Sequence, residues 1–301
     1  MSVSVIIVSY NTCELTISCI QSVISQSKDI EYEIIVVDNN SNDGTIDQLS
    51  KSFPQVNIIS NKINVGFGVA SNQGANVARS KYLFFLNSDA LLLNNALLHF
   101  YNYAEAQTEE FGAIGCYLLN RQQQVVHTYG GFPYPYRYLG QRYRKVFRKL
   151  IPVRQIRTNK HTIPSDKNIK VDFVTGADLF IRKEIFSIYG QFDESYFMYF
   201  EEADLQWRMY LSKLRREIIT GPAIFHEEGN SSKQSNIKRI LFESSARVYF
   251  TKNFGERTGK IFSFLFSVSI ILETLTDLIF REYSVSENIF FLKEYSKRNP
   301  Q

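Results

Sequence analysis

The fold is decided by one stretch, Tyr82-Leu83-Phe84-Phe85-Leu86-Asn87-Ser88-Asp89. Its first five residues are apolar or aromatic, and the chain then becomes polar. A short, uninterrupted apolar run that ends in turn residues predicts a strand buried on both faces of a parallel sheet. Open α/β sheets bind their ligands at the carboxyl ends of such strands, and Asp89 stands at that end.

A carboxylate at this position has two interpretations. With Asn87 two residues before it, Asp89 can hold a hard cation such as Mg²⁺ and leave the other coordination positions to phosphate and water. Alternatively, Asn87-Ser88-Asp89 caps a helix that begins near Asn94. These eight residues favour neither interpretation over the other.

The composition is that of an ordinary globular protein. The chain has 301 residues, of which 44% are hydrophobic and 21% charged, enough for one large domain or two small ones. The three cysteines show no metal-ligand spacing, and Met1 leads into an apolar strand pattern without a basic flank. We therefore expect no signal peptide, no disulfide framework and a cytoplasmic setting.

The net charge of +4 conceals a basic block. Between Phe111 and Ser165 the sequence has no Asp or Glu. The ten basic residues of this segment are Arg121, Arg137, Arg142, Arg144, Lys145, Arg148, Lys149, Arg154, Arg157 and Lys160. Such a block suits an anionic membrane surface, nucleic acid or a phosphorylated substrate, and a solvated loop is the plainer alternative. The irregular, tyrosine-rich pattern of residues 128–170 predicts a long functional loop.

Before Tyr82 the chain alternates between strand and helix patterns. Residues 3–8 and 33–37 read as buried strands and residues 56–59 as a third, shorter strand, and a helical pattern follows each of them. This order predicts βαβ units and a parallel sheet. Because parallel crossovers are right-handed, the polar turns after these strands should meet along one edge of the sheet.

That edge offers groups that a nucleoside diphosphate requires. Ser9, Tyr10 and Asn11 can contact a base or ribose, and Asp38 can accept a hydrogen bond from a base N–H or a ribose hydroxyl. Gly66 allows the backbone to approach a ligand closely. Each cluster taken alone is ordinary turn chemistry. The first strand is not followed by G-x-G-x-x-G, and the sequence has no G-x-x-x-x-G-K-[ST], which disfavours dinucleotide-binding and P-loop proteins.

A second informative stretch carries three carboxylates behind a run of aromatic residues. Residues 196–200 read Tyr-Phe-Met-Tyr-Phe, and Glu201, Glu202 and Asp204 follow. On a helix Asp204 can pair with Arg208 one turn later, which leaves Glu201 or Glu202 to face a site. An acidic first turn favoured by the helix dipole is the alternative. The aromatic approach would in addition desolvate a neighbouring carboxylate and make it a better base.

The end of the chain gives weaker signals. His226 follows an apolar run, and a single histidine in such a place is usually a core or surface residue. Residues 261–272 are strongly apolar but end at Glu273, short of the ~20 residues that a spanning helix needs. We expect a helix that packs on the domain or lies in a membrane interface.

Taken together, these motifs resemble the inverting family 2 glycosyltransferases of the GT-A fold, especially their bacterial rhamnosyltransferase-like branch. The resemblance covers about residues 3–230. The motifs that carry it are Val5-Ile6-Ile7-Val8-Ser9-Tyr10-Asn11, Val36-Val37-Asp38-Asn39-Asn40-Ser41-Asn42-Asp43-Gly44, Asn64-Val65-Gly66-Phe67-Gly68 with Asn72-Gln73-Gly74, Leu86-Asn87-Ser88-Asp89, Thr175-Gly176-Ala177, Gly190-Gln191-Phe192-Asp193-Glu194 and His226.

The resemblance implies roles for the acidic residues. The stretch Asn87-Ser88-Asp89 corresponds to the family's D-x-D-type motif, with Asp89 as the main ligand of Mg²⁺ or Mn²⁺ and His226 completing the metal site. The pair Glu201-Glu202 occupies the position of the catalytic Glu-Asp pair, with Glu202 as general base. Because the base is Glu rather than Asp, its side chain is one methylene longer, and Glu201 remains the alternative base.

The resemblance also implies the surroundings of the substrates. The residues expected around the donor nucleotide are Ser9, Tyr10, Asn11, Asp38, Asn40, Asn64, Gly66, Phe67, Asn72, Asn87 and Ser88. The residues expected in an acceptor or sugar pocket are Gly176, Ala177, Asp204 and Arg208.

The expected fold class is α/β: a GT-A fold with a Rossmann-like, mostly parallel central sheet flanked by helices, and a helical C-terminal extension. We expect a nucleotide-sugar-binding half over residues 1–110 and an acceptor-binding and catalytic half over 111–230. The extension covers 231–301. With the basic block, this extension suggests peripheral contact with an anionic membrane on its cytoplasmic face.

The expected function is metal-dependent, inverting sugar transfer in surface polysaccharide synthesis. The donor would be dTDP-rhamnose or a UDP-sugar, and the acceptor a glycan or lipid-linked saccharide; no nucleic-acid partner is expected. One alternative is a catalytically inactive sugar-nucleotide-binding module. The other is a sugar-1-phosphate nucleotidyltransferase, which would need a glycine-rich, Arg- or Lys-bearing loop where this chain has Ser9-Tyr10-Asn11-Thr12-Cys13.

Overall fold

The computed structural model describes residues 1–150, 167–226 and 235–279. Arg154, Arg157 and Lys160 of the predicted basic block, and the predicted extension from residue 280 onward, lie outside the described residues. The chain divides into two compact units. Unit 1 comprises Met1–Phe132 and Ile163–Lys233, and unit 2 comprises Pro133–Thr162 and Gln234–Gln301.

The described strands all belong to unit 1. They are β1 (Val3–Ser9), β2 (Tyr32–Asp38), β3 (Asn57–Ser60), β4 (Tyr82–Leu86), β5 (Ala90–Leu92), β6 (Phe111–Leu119), β7 (Tyr129–Gly130), β8 (Ile169–Lys170), β9 (Phe173–Val174), β10 (Asp178–Arg182) and β11 (Arg215–His226).

Helices occur in both units. They are α1 (Cys13–Gln26), α2 (Thr45–Ser52), α3 (Phe67–Val77), α4 (Ala96–Glu105), α5 (Pro135–Leu150), α6 (Lys183–Ile188), α7 (Glu201–Leu211), α8 (Ser235–Phe254) and α9 (Glu256–Ile279). Of these, α5, α8 and α9 form unit 2.

The central sheet has the strand order β3-β2-β1-β4-β10-β6-β11-β5, with β8 added beside β11. The first four strands pair in parallel, in agreement with the βαβ prediction. In the other half, β10 runs antiparallel to β4 and β6, and β5 runs antiparallel to β11. The predicted α/β architecture, a central sheet flanked by helices with a helical C-terminal region, is confirmed.

The sheet of unit 1 is buried on both faces, and β4 shows why. Tyr82 and Phe84 belong to one apolar cluster, whereas Leu83 and Phe85 belong to a second one. Successive side chains of a strand point to opposite faces, so an unbroken apolar run must be covered on both sides. Each fully buried side chain of this size contributes about 1.5–3 kcal/mol relative to an exposed one.

The prediction of a loop over residues 128–170 is wrong for residues 135–150, which form α5. The buried residues Leu139 and Val146 lie seven positions apart and share one helix face. Between them the sequence is dominated by Arg, Lys and Tyr, so composition concealed the helical period. Residues 151–166 of the predicted loop lie outside the described part of the chain.

Unit 2 is a helical unit with an aromatic core and a buried ion network. Tyr138 of α5 packs edge-on against Phe250 of α8 and Phe262 of α9. Arg142 of α5 reaches the carboxylate of Glu243 at 3.5 Å and that of Glu273 at 2.8 Å. Both carboxylates are buried, so the guanidinium offsets part of their desolvation cost.

Candidate active site

Asp89 and His226 are brought together by the pairing of β5 with β11. In that register His226 lies opposite Ala90, the residue after Asp89. The Nε2 atom of His226 is 3.3 Å from Oδ1 of Asp89 and 3.4 Å from Nδ2 of Asn87. Helix α4 is capped instead by Asn95, whose side chain accepts a hydrogen bond from the N–H of Leu98. The alternative interpretation of the turn as a helix cap therefore finds no support in the structure.

The Asp89–His226 pair fits a divalent cation. Both side chains are largely buried, and a carboxylate oxygen and an imidazole nitrogen converge from different strands. No group of three or more His, Cys, Asp or Glu that could hold a metal occurs in the described residues. A cation here would take two protein ligands and complete its coordination with diphosphate oxygens and water, the usual arrangement for Mg²⁺.

The predicted nucleotide residues at the ends of β1 and β2 lie side by side. Ser9 and Asp38 are partners in the parallel register. Asp38 is fully buried; its Oδ2 accepts a hydrogen bond from the N–H of Ser41 at 2.9 Å, while its Oδ1 has no protein partner. An unpaired buried carboxylate oxygen is costly, so it favours a ligand that donates a hydrogen bond. Tyr10 is 47% exposed, and its ring is accessible to a base.

Asn11 joins the first turn to the second. Its backbone N–H donates to Oγ of Ser41 at 2.8 Å, and its Oδ1 accepts from the N–H of Asn42 at 2.8 Å. Asn11 has a φ of 53° and Asn40 a φ of 67°, in the left-handed region that Asn tolerates better than most residues. Ser88 lies behind these turns, where its Oγ accepts from Thr12 at 3.2 Å.

The predicted Asn64–Phe67 segment is locked to the aromatic run before α7. The N–H of Phe67 donates to the carbonyl of Phe197 at 2.9 Å, and Oδ1 of Asn64 accepts from the N–H of Gly66 at 3.0 Å. A Cβ at Gly66 would lie 2.3 Å from the Phe197 oxygen. Only glycine permits this approach, which ties the donor side to the acidic helix. Asn72 also serves this link, because its amide group pairs with both backbone groups of Phe192.

Glu201 and Glu202 begin α7 after two residues in the left-handed region, Tyr199 and Phe200, each with a φ of 72°. Such conformations cost about 1–3 kcal/mol each and cluster at functional sites. The Oε2 atoms of both glutamates are buried without a hydrogen-bond partner. Burial raises the pKa of Glu202 and, together with the charge of Glu202, raises the pKa of Glu201 well above its ordinary range.

The turn Gly176-Ala177 links the two acidic sites. The backbone N–H of Gly176 favours the ionised form of Glu202 and partly offsets the effect of burial on its pKa. The carbonyl of Ala177 accepts a hydrogen bond from the N–H of Asn87 at 3.1 Å. Asn87 begins the turn that carries Asp89, so Glu202 and the Asp89 turn contact adjacent residues of one short segment.

Asp204 and Arg208, predicted in the acceptor pocket, hold the loop before α7 in position. Oδ1 of Asp204 accepts from the hydroxyl of Tyr196 at 3.1 Å, and Oδ2 is 3.0 Å from Nη2 of Arg208. Arg208 also donates to the carbonyls of Tyr189 and Gln191. Both oxygens of Asp204 are therefore engaged within the protein, as the expected i,i+4 pair requires.

The sequence analysis missed Asp178, a fully buried acid at the start of β10. Its Oδ2 accepts from the N–H of Cys116 at 2.6 Å, whereas Oδ1 has no partner. Burial raises the pKa of Asp178 to about 8, against the opposing influence of His226. The signal was available, because Asp178 interrupts an otherwise apolar strand pattern beginning at Ala177.

Comparison with known proteins identifies the family. The family model described as "Glycosyl transferase family 2" matches residues 4–187. The chain belongs to glycosyl transferase family 2. This result confirms the resemblance on which the site residues were assigned.

Curated relatives of this family 2 protein include named glycosyltransferases. The poly(ribitol-phosphate) beta-glucosyltransferase of Bacillus spizizenii is 34% identical over 110 residues, which are 35% of this chain and 17% of that protein. Rhamnosyltransferase WbbL of Escherichia coli is 26% identical over 201 residues, 64% of this chain and 71% of WbbL. The first of these matches thus covers much less than two thirds of the relative's length.

Solved structures share the fold. The crystal structure of GalNAc-T7 with UDP, GalNAc and Mn²⁺ has a TM-score of 0.55 at 15% identity, over 81% of this chain and 48% of that one. At this identity the likeness concerns the fold alone. The predicted GT-A architecture is confirmed on this ground and on that of the sheet topology.

Proposed function

We propose that this protein transfers a sugar from a nucleoside-diphosphate donor to a hydroxyl of a glycan or lipid-linked acceptor during surface polysaccharide synthesis in the cytoplasm. The proposed role in polysaccharide synthesis is supported by relatives named as a poly(ribitol-phosphate) beta-glucosyltransferase and a rhamnosyltransferase. A dTDP- or UDP-sugar is the donor that we expect. The reaction inverts the anomeric centre and depends on Mg²⁺ or Mn²⁺.

One observation carries this proposal. The backbone N–H of Gly176 acts on the carboxylate of Glu202, and the carbonyl of the next residue, Ala177, accepts a hydrogen bond from Asn87, two residues before Asp89. Sugar transfer requires a charge-neutralising group at the diphosphate and a base at the acceptor hydroxyl, on opposite sides of one sugar. Asp89 as a cation ligand and Glu202 as a general base, both near this turn, would fit this requirement.

The chemistry follows from the environments of the acids. A divalent cation bound by Asp89 and His226 would stabilise negative charge on the departing diphosphate. Burial raises the pKa of Glu202, so its carboxylate has a high affinity for the acceptor's proton. As Glu202 takes that proton, the acceptor oxygen bonds to the anomeric carbon from the face opposite the diphosphate, and the bond to the diphosphate breaks.

Inversion is favoured over retention by the state of Glu201. A retaining enzyme needs a second carboxylate that attacks the sugar. Glu201 is only 4% exposed, and burial together with the charge of Glu202 raises its pKa well above the ordinary range. This shift disfavours the ionised form that would have to attack the sugar, and it supports Glu202 as the base.

The donor nucleotide would lie over the turns that follow β1 and β2. We assign its base to the exposed ring of Tyr10 and a ribose or base hydrogen bond to the buried Oδ1 of Asp38. Gly66 holds the aromatic run before α7 against this edge, because only glycine leaves room there for the Phe197 carbonyl. Gly176 and Ala177 then line the sugar.

The test is release of nucleoside diphosphate from a panel of dTDP-rhamnose, UDP-hexoses and GDP-sugars, with and without Mn²⁺. We expect metal-dependent turnover with a dTDP- or UDP-sugar. Glu202→Gln should lower the turnover rate by about 10²–10⁴-fold while retaining nucleotide affinity, because it removes only proton transfer. Asp89→Ala should abolish metal-dependent turnover.

A matched control is Glu194→Gln, which removes an exposed acid from the loop before α7 and should leave turnover unchanged. Full activity of Asp89→Ala would refute the metal assignment. Nucleotide binding without turnover, unaltered by Glu202→Gln, would instead identify an inactive binding module.

A further inference from the structure

Helix α9 in unit 2 presents a continuous apolar face to the exterior. Its exposed large residues are Ile261, Phe264, Ile271, Leu275 and Leu278, which are 49–68% exposed. Spacings of three, seven, four and three residues place them on one side of the helix. No charged residue of α9 falls between them on this face. An exposed apolar face of this length usually marks an interaction site.

The hydroxyl side chains beside this face form hydrogen bonds within the helix and do not need water as a partner. Oγ of Ser263 donates to the carbonyl of Gly259 at 2.8 Å, and Oγ of Ser267 donates to that of Ser263 at 2.9 Å. Oγ1 of Thr274 donates in the same way to Ile270 at 2.8 Å. Each hydroxyl is thus satisfied by the carbonyl four residues earlier, as in helices that lie in apolar surroundings.

The opposite face of α9 packs into the interior of unit 2. Glu273 is buried and lies 2.8 Å from Arg142, and Oγ of Ser269 accepts from Nε of Arg142 at 2.6 Å. Within the described residues one segment, Glu256–Thr276, is long and apolar enough to span a bilayer, yet 39% of it is buried in the protein. A helix with one packed, charged face and one apolar face suits the surface of a membrane better than its interior.

Helix α5 supplies a positive charge next to that apolar face. It contains no Asp or Glu, and in the described part of the chain only its Arg142 and Lys145 form ion pairs. Arg144, Arg148, Lys145 and Gln141 line a shallow cavity of about 390 Å³. The hydroxyl of Tyr143, the neighbour of Arg144, donates to the carbonyl of Leu265, the neighbour of Phe264, at 2.7 Å.

We propose that unit 2 binds the surface of an anionic phospholipid bilayer, with the apolar face of α9 among the acyl chains and Arg144 and Arg148 of α5 at the lipid phosphates. Two copies of this chain paired through the same surface would bring like charges together, which disfavours self-association as the occupant. An anionic bilayer satisfies the apolar and the basic parts at once. The surface belongs to unit 2, so this inference does not depend on the proposed transfer reaction.

The test is sedimentation of the full chain with vesicles of phosphatidylcholine alone or mixed with phosphatidylglycerol. We expect binding to the mixed vesicles that weakens with added salt. Arg144→Glu with Arg148→Glu should lower partitioning by at least about tenfold, since each basic residue near such a surface contributes about fivefold. Phe264→Ser should lower it by about tenfold through lost apolar burial.

Matched controls come from exposed positions of unit 1. Lys51→Glu with Lys62→Glu changes the net charge equally, and Ile188→Ser removes a residue that is 67% exposed. Both should bind vesicles like the parent chain, and all variants should keep the parent's circular dichroism. Absence of binding to anionic vesicles would overturn the proposal. So would a concentration-dependent oligomer that Phe264→Ser dissociates while vesicle binding is unaffected.

Discussion

At the scale of single residues, the acids of the candidate site differ in their surroundings. Oδ1 of Asp89 lies 3.3 Å from Nε2 of His226, so a carboxylate oxygen and an imidazole nitrogen meet at one point. Glu201 and Glu202 each keep a buried oxygen without a partner. Burial without a hydrogen-bond partner disfavours the charged form of a carboxylate, so such an oxygen is stabilised by binding a proton. The same functional group is thereby suited to a cation at one place and to proton transfer at the other.

Asp178 provides a pH-dependence prediction. Its pKa is raised to about 8 in the folded protein by burial, whereas an unfolded Asp has a pKa of about 3.9. Between these values the folded state holds a proton that the unfolded state has lost. The contribution of Asp178 to stability is therefore complete below about pH 4 and falls by ~1.4 kcal/mol per pH unit until about pH 8.

We expect Asp178→Asn to remove this component, so that the variant becomes more stable relative to the parent as the pH rises from about 5 to about 8. Denaturant unfolding measures it, and the chain's single tryptophan, Trp207 in unit 1, is the fluorescence probe. Asp47→Asn, at an exposed position of α2, is the control. Parallel stability–pH curves for the parent and Asp178→Asn would contradict the assignment.

At the scale of elements, sequence patterns predicted strands β1 to β4, whereas β5 and β11 were not predicted. Strand β4 was predictable because its five apolar residues have no polar face to expose. The carboxyl-end placement of Asp38 and Asp89 followed from the parallel topology alone. Helix α5 was missed because its apolar positions are sparse among arginines and tyrosines.

The roles of Glu201 and Glu202 could not be separated from the sequence. The proposed distinction depends on where α7 begins, which the left-handed Phe200 fixes, and on the backbone N–H of Gly176, 26 positions before Glu202. Neither a backbone reversal at an aromatic residue nor a non-local interaction leaves a periodic signal. Asp178 does interrupt an apolar pattern, but a single acid in such a run does not by itself indicate a site.

Gly66 provides a prediction about the junction between α3 and the aromatic run before α7. Gly66→Ala should destabilise the protein more than Gly44→Ala and also reduce turnover. Gly44, with a φ of 80° and a ψ of 10°, lies in the left-handed region, where Ala costs about 1–2 kcal/mol. Gly66, with a φ of 89° and a ψ of 170°, lies in a region that is essentially open to glycine alone. A Cβ at Gly44 meets no atom within 4 Å, whereas at Gly66 it meets the Phe197 oxygen at 2.3 Å.

The additional clash must displace the segment that leads to Glu201. Denaturant unfolding compares the two variants, and diphosphate release reports the catalytic consequence. Gly44→Ala should retain near-parental turnover once its small loss of stability is allowed for. Equal effects of the two substitutions on both measurements would show that the Gly66–Phe197 contact has no special role.

At the scale of the whole molecule, the candidate site collects residues from most of unit 1. Asp38 ends β2, and His226 ends β11. Asp89 lies in the β4–β5 turn, Gly176 in the β9–β10 turn and Glu202 in α7. The central sheet positions these elements of unit 1 relative to one another. A ligand that bridges them should therefore stabilise unit 1 as a whole, rather than one loop of it.

This leads to a ligand-linkage prediction. A nucleoside diphosphate with Mn²⁺ at about 100 times its dissociation constant should raise the unfolding free energy of unit 1 by about 2.7 kcal/mol, because it binds only the folded state. Without Mn²⁺ the same nucleotide concentration should stabilise less. Asp89→Ala should remove the metal-dependent part, whereas Glu202→Gln, which leaves the metal ligands in place, should retain it. Fluorescence of Trp207 follows the transition, and the Arg144→Glu, Arg148→Glu variant of unit 2 is the control. Equal stabilisation with Mn²⁺ and with a chelator would exclude Asp89 and His226 as a metal site that serves the donor.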